Sequence, residues 1–401
     1  MATKWTSLFV VAGLAASSHV LSADKQYGPG VTDSTIKIGQ TMPYSGPVSA
    51  WATLGRAQAA YLKMLNEQGG VGGRQIELIS LDDGYSPPRT VEQTRRLVEQ
   101  ESVLFLFSSF GTPTNAAIHK YINARKVPHL FIASIGSKWA DPQHFPWTMA
   151  LMQDQGTEAA AHAAWLIKNH PNAKIGVLYQ NDDLGKDYVK GLKDALGPKA
   201  ATMILAEASY EITDPTIDSQ IIALKSSGAD TLFTFASPKF AALSIRKTYD
   251  IGWRPLHIVA QPGTSVGSVL RPAGLEKAVG LIAASFLKDP TDPQWRDDPA
   301  MKAWLAWMKK YYPEGDVTDW VNVFGYTLTQ ALVQVLQQCG DNLTRENVMA
   351  QAAQLKDLEL PMLLPGIRIS TSATDYRTIK QLQLQRFDGK RWVRINDATA
   401  Q

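Results

Sequence analysis

An unbroken apolar run, Val103-Leu104-Phe105-Leu106-Phe107, delivers the chain into a small polar loop, Ser108-Ser109-Phe110-Gly111-Thr112-Pro113-Thr114. The arrangement returns at once: Pro128 to Ala133 is apolar apart from His129 and ends in Ser134-Ile135-Gly136-Ser137. Runs without a polar alternate suit strands covered on both faces, which is the condition of a parallel sheet. Asn115 to Tyr121 follows the first loop with apolar spacing for one buried helical face, and Thr112 or Thr114 is placed to cap its first turn. Hydroxyls and free backbone N–H groups at strand ends and helix starts make a site for an anion such as a carboxylate, with neither metal nor lysine required.

The rest of the chain repeats this unit. Thr35 to Gly39 alternates as a first strand and exits through Met42 to Pro47. Leu54, Ala57, Tyr61, Leu62 and Leu65 mark a helix that Gly69-Gly70 stops, and Arg74 to Leu81 is the next strand, ending at Asp82-Asp83. After Met149 the period restarts, with strands predicted at Ile175–Tyr179, Ile204–Ala208, Thr231–Phe235 and Leu256–Val259 and helices between them. Two βα domains in tandem follow from that restart. A strand near Gly280 to Ala284 precedes two helices, Pro299 to Tyr312 and Val321 to Gln338, that have no strands of their own and must cover a sheet already made. The chain is therefore expected to return to its first domain there. Leu382 to Phe387 and Arg391 to Ile395, joined through Asp388-Gly389-Lys390, read as a hairpin closing the second.

With 401 residues, 45% hydrophobic and 19% charged, the chain has material for two cores. A formal charge of only +3, without a basic block, excludes nucleic acid as the expected partner. The opening Met1-Ala2-Thr3-Lys4, the apolar stretch Leu8 to Leu21 and Leu21-Ser22-Ala23 read as a signal peptide, residues 1–23, and the stretch is too short for stable membrane insertion. Cys339 is the single cysteine, so no lipid-attachment cysteine lies near the cleavage point; a freely diffusing periplasmic monomer is expected.

Two motifs suggest chemistry and neither develops it. Gly263-Thr264-Ser265-Val266-Gly267 fits a nucleophile elbow, but that fold needs a histidine later in the chain and the last is His257. A serine hydrolase using Ser265 thus stands only as an outside alternative. The glycines Gly69 to Gly73 follow a helix and precede a strand, the reverse of a phosphate loop. The scattered histidines lack ligand spacing, so no metal and no cofactor are expected, and the acid pairs Asp82-Asp83, Asp182-Asp183 and Asp297-Asp298 suit loop and helix capping. What is left is a set of strand-exit loops rich in Ser, Thr, Gly and aromatics, where open α/β sheets bind ligands.

At these residues the chain resembles the periplasmic binding proteins of branched-chain amino acid ABC transporters, the Leu/Ile/Val-binding type. The most specific elements are Ile36 to Gly39 leading to Ser45-Gly46-Pro47, Asn66 to Arg74, Asp82-Asp83, Gly111 to Asn115 and Asn181 to Lys186. The resemblance implies a type I periplasmic binding fold, two Rossmann-like lobes joined by three hinge crossovers. Residues 34–149 plus 286–365 form the first lobe and 150–285 plus 366–396 the second. It implies a non-enzymatic solute-binding protein that closes on a small ligand and delivers it to an inner-membrane ABC permease. The ligand carboxylate falls to Gly111, Thr112 and the Ser134, Ile135, Gly136, Ser137 loop, with Trp51 and Phe110 as cleft aromatics and Asp183, Leu184, Ser237 and Gln261 from the second lobe. Where the family has a tyrosine the chain has Leu184, and where it has an acid for the ligand's amino group the chain has Gln261-Pro262-Gly263-Thr264. Burying an ammonium without an anion costs several kcal/mol. The expected ligand is therefore an aromatic or other apolar monocarboxylate, as in members that bind aromatic acids, with a branched-chain amino acid or an amide as alternatives.

Overall fold

The repeated unit becomes two parallel sheets of the same strand order. A computed structural model of the chain describes Met1 and residues 25–400, so the signal-peptide reading falls on residues outside the description. The first sheet has five parallel strands in the spatial order Gln75–Asp82, Thr35–Met42, Leu106–Phe107, His129–Ile132 and Thr148–Ala150. In chain order this is 2-1-3-4-5, which places a topological switch between its first and third strands. The second sheet repeats the order with Ile204–Tyr210, Ile175–Gln180, Thr231–Phe235, Leu256–Val259 and Ile282–Ser285. Leu382–Phe387 and Trp392–Ala400 then extend it as an antiparallel pair.

The apolar run is shorter as a strand than its composition suggests. Only Leu106–Phe107 is regular, although Leu104 and Gly39 continue the ladder through N–H groups donated to Lys37 O and Phe105 O. All five residues from Val103 to Phe107 are fully buried. Helices cover both faces of the sheets, which is why these strands carry no polar alternate.

The chain passes between the two sheets after Ala150, after Ser285 and again before Leu382. Between the second and third passages Pro299–Tyr311 and Trp320–Cys339 pack on Ala52–Glu67, a helix of the first sheet. The close fit is visible at Gly325, where a Cβ would lie 3.0 Å from that of Ala57 and 3.1 Å from Leu54 O. Cys339 is buried in this packing.

Candidate functional site

Strand order decides where the loops meet. Five exit loops of the first sheet and three of the second converge on one small cavity. Val48, Trp51, Phe110, Ile135 and Met152 supply apolar wall from the first sheet's side, and Leu184 and Pro262 from the second. Trp51 and Phe110 lie with ring centroids 4.8 Å apart and tilted by 34°, and Trp320 holds Trp51 edge-on at 5.9 Å. Tyr85, Gly111, Thr112, Ala133, Ser134 and Ser237 complete the lining, so among the described residues no acidic or basic side chain lines the cavity.

One end of this apolar slot is lined by hydrogen-bond donors. The helix Thr112–Ala124 begins there, and neither threonine caps it as expected: Thr114 Oγ1 donates back to Phe110 O, and Thr112 Oγ1 bonds Ser134 Oγ at 2.8 Å. The residue at the cap position is Gly111, whose φ of 99° an L side chain rarely adopts; a Cβ there would lie 2.5 Å from Thr114 Oγ1 and 2.6 Å from the Tyr85 ring. Gly111 N–H is spent on Ala133 O at 3.1 Å, which removes it from the expected carboxylate donors. The amides of Thr112 and Ser134 have no protein acceptor among the described residues. With the Thr112 hydroxyl they form a donor set at the positive end of a helix, suited to an anionic oxygen.

Eight of the expected ligand residues line the cavity: Trp51, Phe110, Gly111, Thr112, Ser134, Ile135, Leu184 and Ser237. Four do not. Gly136 and Ser137 lie beyond the anchor, where Ser137 starts a short 3₁₀ turn and Gly136 N–H donates to Ser134 Oγ. Asp183 is drawn away by Lys138, whose Nζ lies 2.6 Å from its carboxylate. Gln261 is fully covered, its amide oxygen accepting from Gln153 Nε2 at 2.7 Å.

Tyr85 was missed because a tyrosine in the turn after Asp82-Asp83 carries no helical or strand period. The structure holds it at φ 61°, with its hydroxyl donated to Asp182 Oδ2 of the second sheet's loop at 3.3 Å. Strained backbone of this kind persists where surroundings fix it, commonly at ligand sites. Asp182 also caps the helix Asp183–Leu196, and burial raises its carboxyl above the usual range. Asp82 and Asp83 act as loop caps, accepting from Ser45 and from Tyr85 N–H and Thr90.

A second missed residue lies behind Gln261. Glu158 is fully buried, accepting from Gln261 N–H at 2.9 Å, Tyr188 Oη at 2.7 Å and Gln153 Nε2 at 3.2 Å, with no cation in salt-bridge contact among the described residues. Burial pushes its carboxyl up to about 6, against the pull of those three donors. Its signal was a lone acid on a buried helical face shared with Gln155, Ala161, His162 and Trp165. Ser265 takes no part in the cavity: its hydroxyl donates to Asp319 at 2.9 Å and accepts from Ser268 N–H, a cap in place of a nucleophile.

Two α/β sheets that face one another across a small, largely apolar cavity, with carboxylate-suited donors at one end, define a solute-binding protein of the type I periplasmic binding fold. The chain belongs to the periplasmic binding protein family, whose model matches residues 35–391. Among its relatives is a Leu/Ile/Val-binding protein homolog 7 of Brucella abortus (strain 2308), 24% identical over 320 residues that cover 76% of each chain. A Thermus thermophilus branched-chain amino acid ABC transporter protein with bound valine shares the fold at a TM-score of 0.81 and 16% identity, over 91% of this chain and 96% of that one. A fatty acid ABC transporter substrate-binding protein from Thermomonospora curvata does so at 0.75 and 23%, over 92% and 94%. No described helix is long and apolar enough to cross a membrane.

Proposed function

We propose that this protein is exported to the periplasm, captures a small apolar carboxylate, preferably an aromatic monocarboxylate, and delivers it to an inner-membrane ABC permease. The reading takes residues 34–149 with 286–365 as one lobe and 150–285 with 366–396 as the other, closing around the cavity. The observation that carries it is the polarity of that cavity: amide and hydroxyl donors gathered at the Thr112 and Ser134 end, a mostly apolar wall elsewhere broken by the hydroxyls of Tyr85 and Ser237, and no charged side chain in the lining among the described residues. An apolar acid leaves no buried charge unpaired in such a slot, whereas an ammonium would be unpaired there. The relatives named for fatty acids and for valine both fit a carboxylate at the anchor.

Glu158 favours a second reading, an amino acid. A buried carboxylate without a cation attracts positive charge, and its partner Gln261 is the chain neighbour of Pro262, which lines the cavity. Titration calorimetry separates the two. Benzoate or cinnamate binding far more tightly than leucine is the expected result; tight leucine binding with no measurable aromatic acid overturns the preference and gives Glu158 its role.

A further inference from the structure

Ser134 Oγ has three polar neighbours. It lies 2.8 Å from Trp139 Nε1, 3.3 Å from the Gly136 amide nitrogen and 2.8 Å from Thr112 Oγ1. The indole and the backbone amide only donate, and a hydroxyl oxygen has two lone pairs, so these two donors fill its acceptor capacity. Ser134 must then give its own proton to Thr112 Oγ1. That oxygen has no other protein partner among the described residues, and Thr112 lines the cavity, so its proton is left for the ligand. Trp139 is held for this part: it is 1% exposed, His119 packs edge-on against it at 5.0 Å, and a Cβ on Gly136 would lie 2.8 Å from its Nε1.

We infer that Trp139 is a positioning residue that acts through Ser134 to fix the Thr112 hydroxyl as a donor, so that the anchor accepts an ionised carboxylate and rejects the corresponding carboxamide. The inference rests on the carboxylate reading of the preceding section and adds the residue that enforces it. With the Thr112 amide, the Ser134 amide and the Thr112 hydroxyl all donating, a carboxylate's lone pairs meet donors on every side. A carboxamide turns two N–H donors toward donors and loses those bonds.

Trp139→Phe keeps a ring and removes the N–H. A lone pair on Ser134 is then vacant, the Thr112 hydroxyl turns to fill it, and an acceptor faces the cavity where a donor stood. Calorimetry with benzoate and benzamide reads the change. The wild type prefers benzoate by about 100-fold; the variant narrows this to about tenfold or less, with benzoate weakened and benzamide unchanged or tighter. Loss of affinity for both ligands by the same factor, or no change in either, overturns the inference. Ser134→Ala removes the relay from its other end and should narrow the ratio equally, which covers a poorly folded Trp139→Phe. If the wild type takes leucine in place of benzoate, leucine and leucinamide are the pair, and the aromatic preference fails while the relay is still tested. Hydrogen exchange of the Trp139 indole proton in ligand-free protein is a further readout: slow in wild type and fast in Ser134→Ala, with fast exchange in the wild type contradicting the relay.

Discussion

Thr112 offers the cavity two donors, its amide at the start of a helix and its hydroxyl, and a carboxylate bond to one buried donor contributes about 1.5–3 kcal/mol. Thr112→Val keeps the shape and the amide but not the hydroxyl. Its carboxylate affinity should fall by roughly tenfold or more in calorimetry, with little change in denaturant midpoint. A similar loss of affinity and of stability would mean that Thr112 holds the loop and leaves the ligand alone. The same scale explains why ligand chemistry was only partly legible. Thr112 and Ser134 stood out because small hydroxyl residues after apolar runs signal strand exits. Which of their protons are free depends on Trp139, Gly136 and Ala133 O, partners that local sequence cannot name. Glu158 was passed over for the same reason: its lone acid on a helical face gains meaning only through Gln261, 103 positions away in the chain.

Among the elements, the Phe110-Gly111-Thr112 turn is the most constrained. Gly111→Ala would bring a Cβ within 2.6 Å of the Tyr85 ring at a φ of 99°, and strain of this kind costs about 1–3 kcal/mol. Urea denaturation should show that loss, and ligand affinity should fall with it because Tyr85 and Thr112 are both displaced. Unchanged stability would mean that the turn relaxes freely. The secondary elements themselves were largely readable, since the shift between strand and helical period recurs throughout, and the late helices could be assigned to the first sheet because they bring no strands. Their ends were less so: Val103 to Leu104 reads as strand by composition, yet regular pairing begins only at Leu106. The equal 2-1-3-4-5 order of the two sheets follows from pairings between distant strands, so the restart after Met149 announced a second domain without its strand order.

For the whole molecule, Lys138 with Asp183 and Tyr85 with Asp182 are polar contacts between the two loop sets. Lys138 with Asp183 is partly exposed, and such pairs contribute about 0–1 kcal/mol. If the lobes close as proposed, pairs of this strength leave the larger part of the free energy of closure to the bound ligand. Small-angle scattering should show a smaller radius of gyration at saturation for wild type and for Lys138→Met alike; a variant that no longer closes would assign the pair of Lys138 and Asp183 the larger part. Stability should also fall in acid. His129, His162 and His257 are buried and held neutral, each pushed down to about 3 by loss of solvent. Above pH 6.5 they are neutral folded or unfolded, and as pH falls below that value the unfolded chain takes up protons first. Near pH 5 each costs about 2 kcal/mol. Glu158 and Asp289, both raised to about 6 by burial, work the other way, losing stability as pH rises through that value, but His119, pushed down to about 4, adds to the three histidines, and their summed effect is the larger. Denaturant midpoints that stay level from pH 7 to 5 would contradict this balance.

The central claim is that a carboxylate is held at the Thr112 and Ser134 end of the cavity, and a crystal structure of the protein with benzoate tests it most directly. The carboxylate oxygens should lie within hydrogen-bond distance of the Thr112 amide and hydroxyl and the Ser134 amide, about 2.7–3.2 Å, with the ring against Trp51 and Phe110. A carboxylate turned toward Ser237 and Leu184, or benzoate absent from this cavity while bound elsewhere, would contradict it.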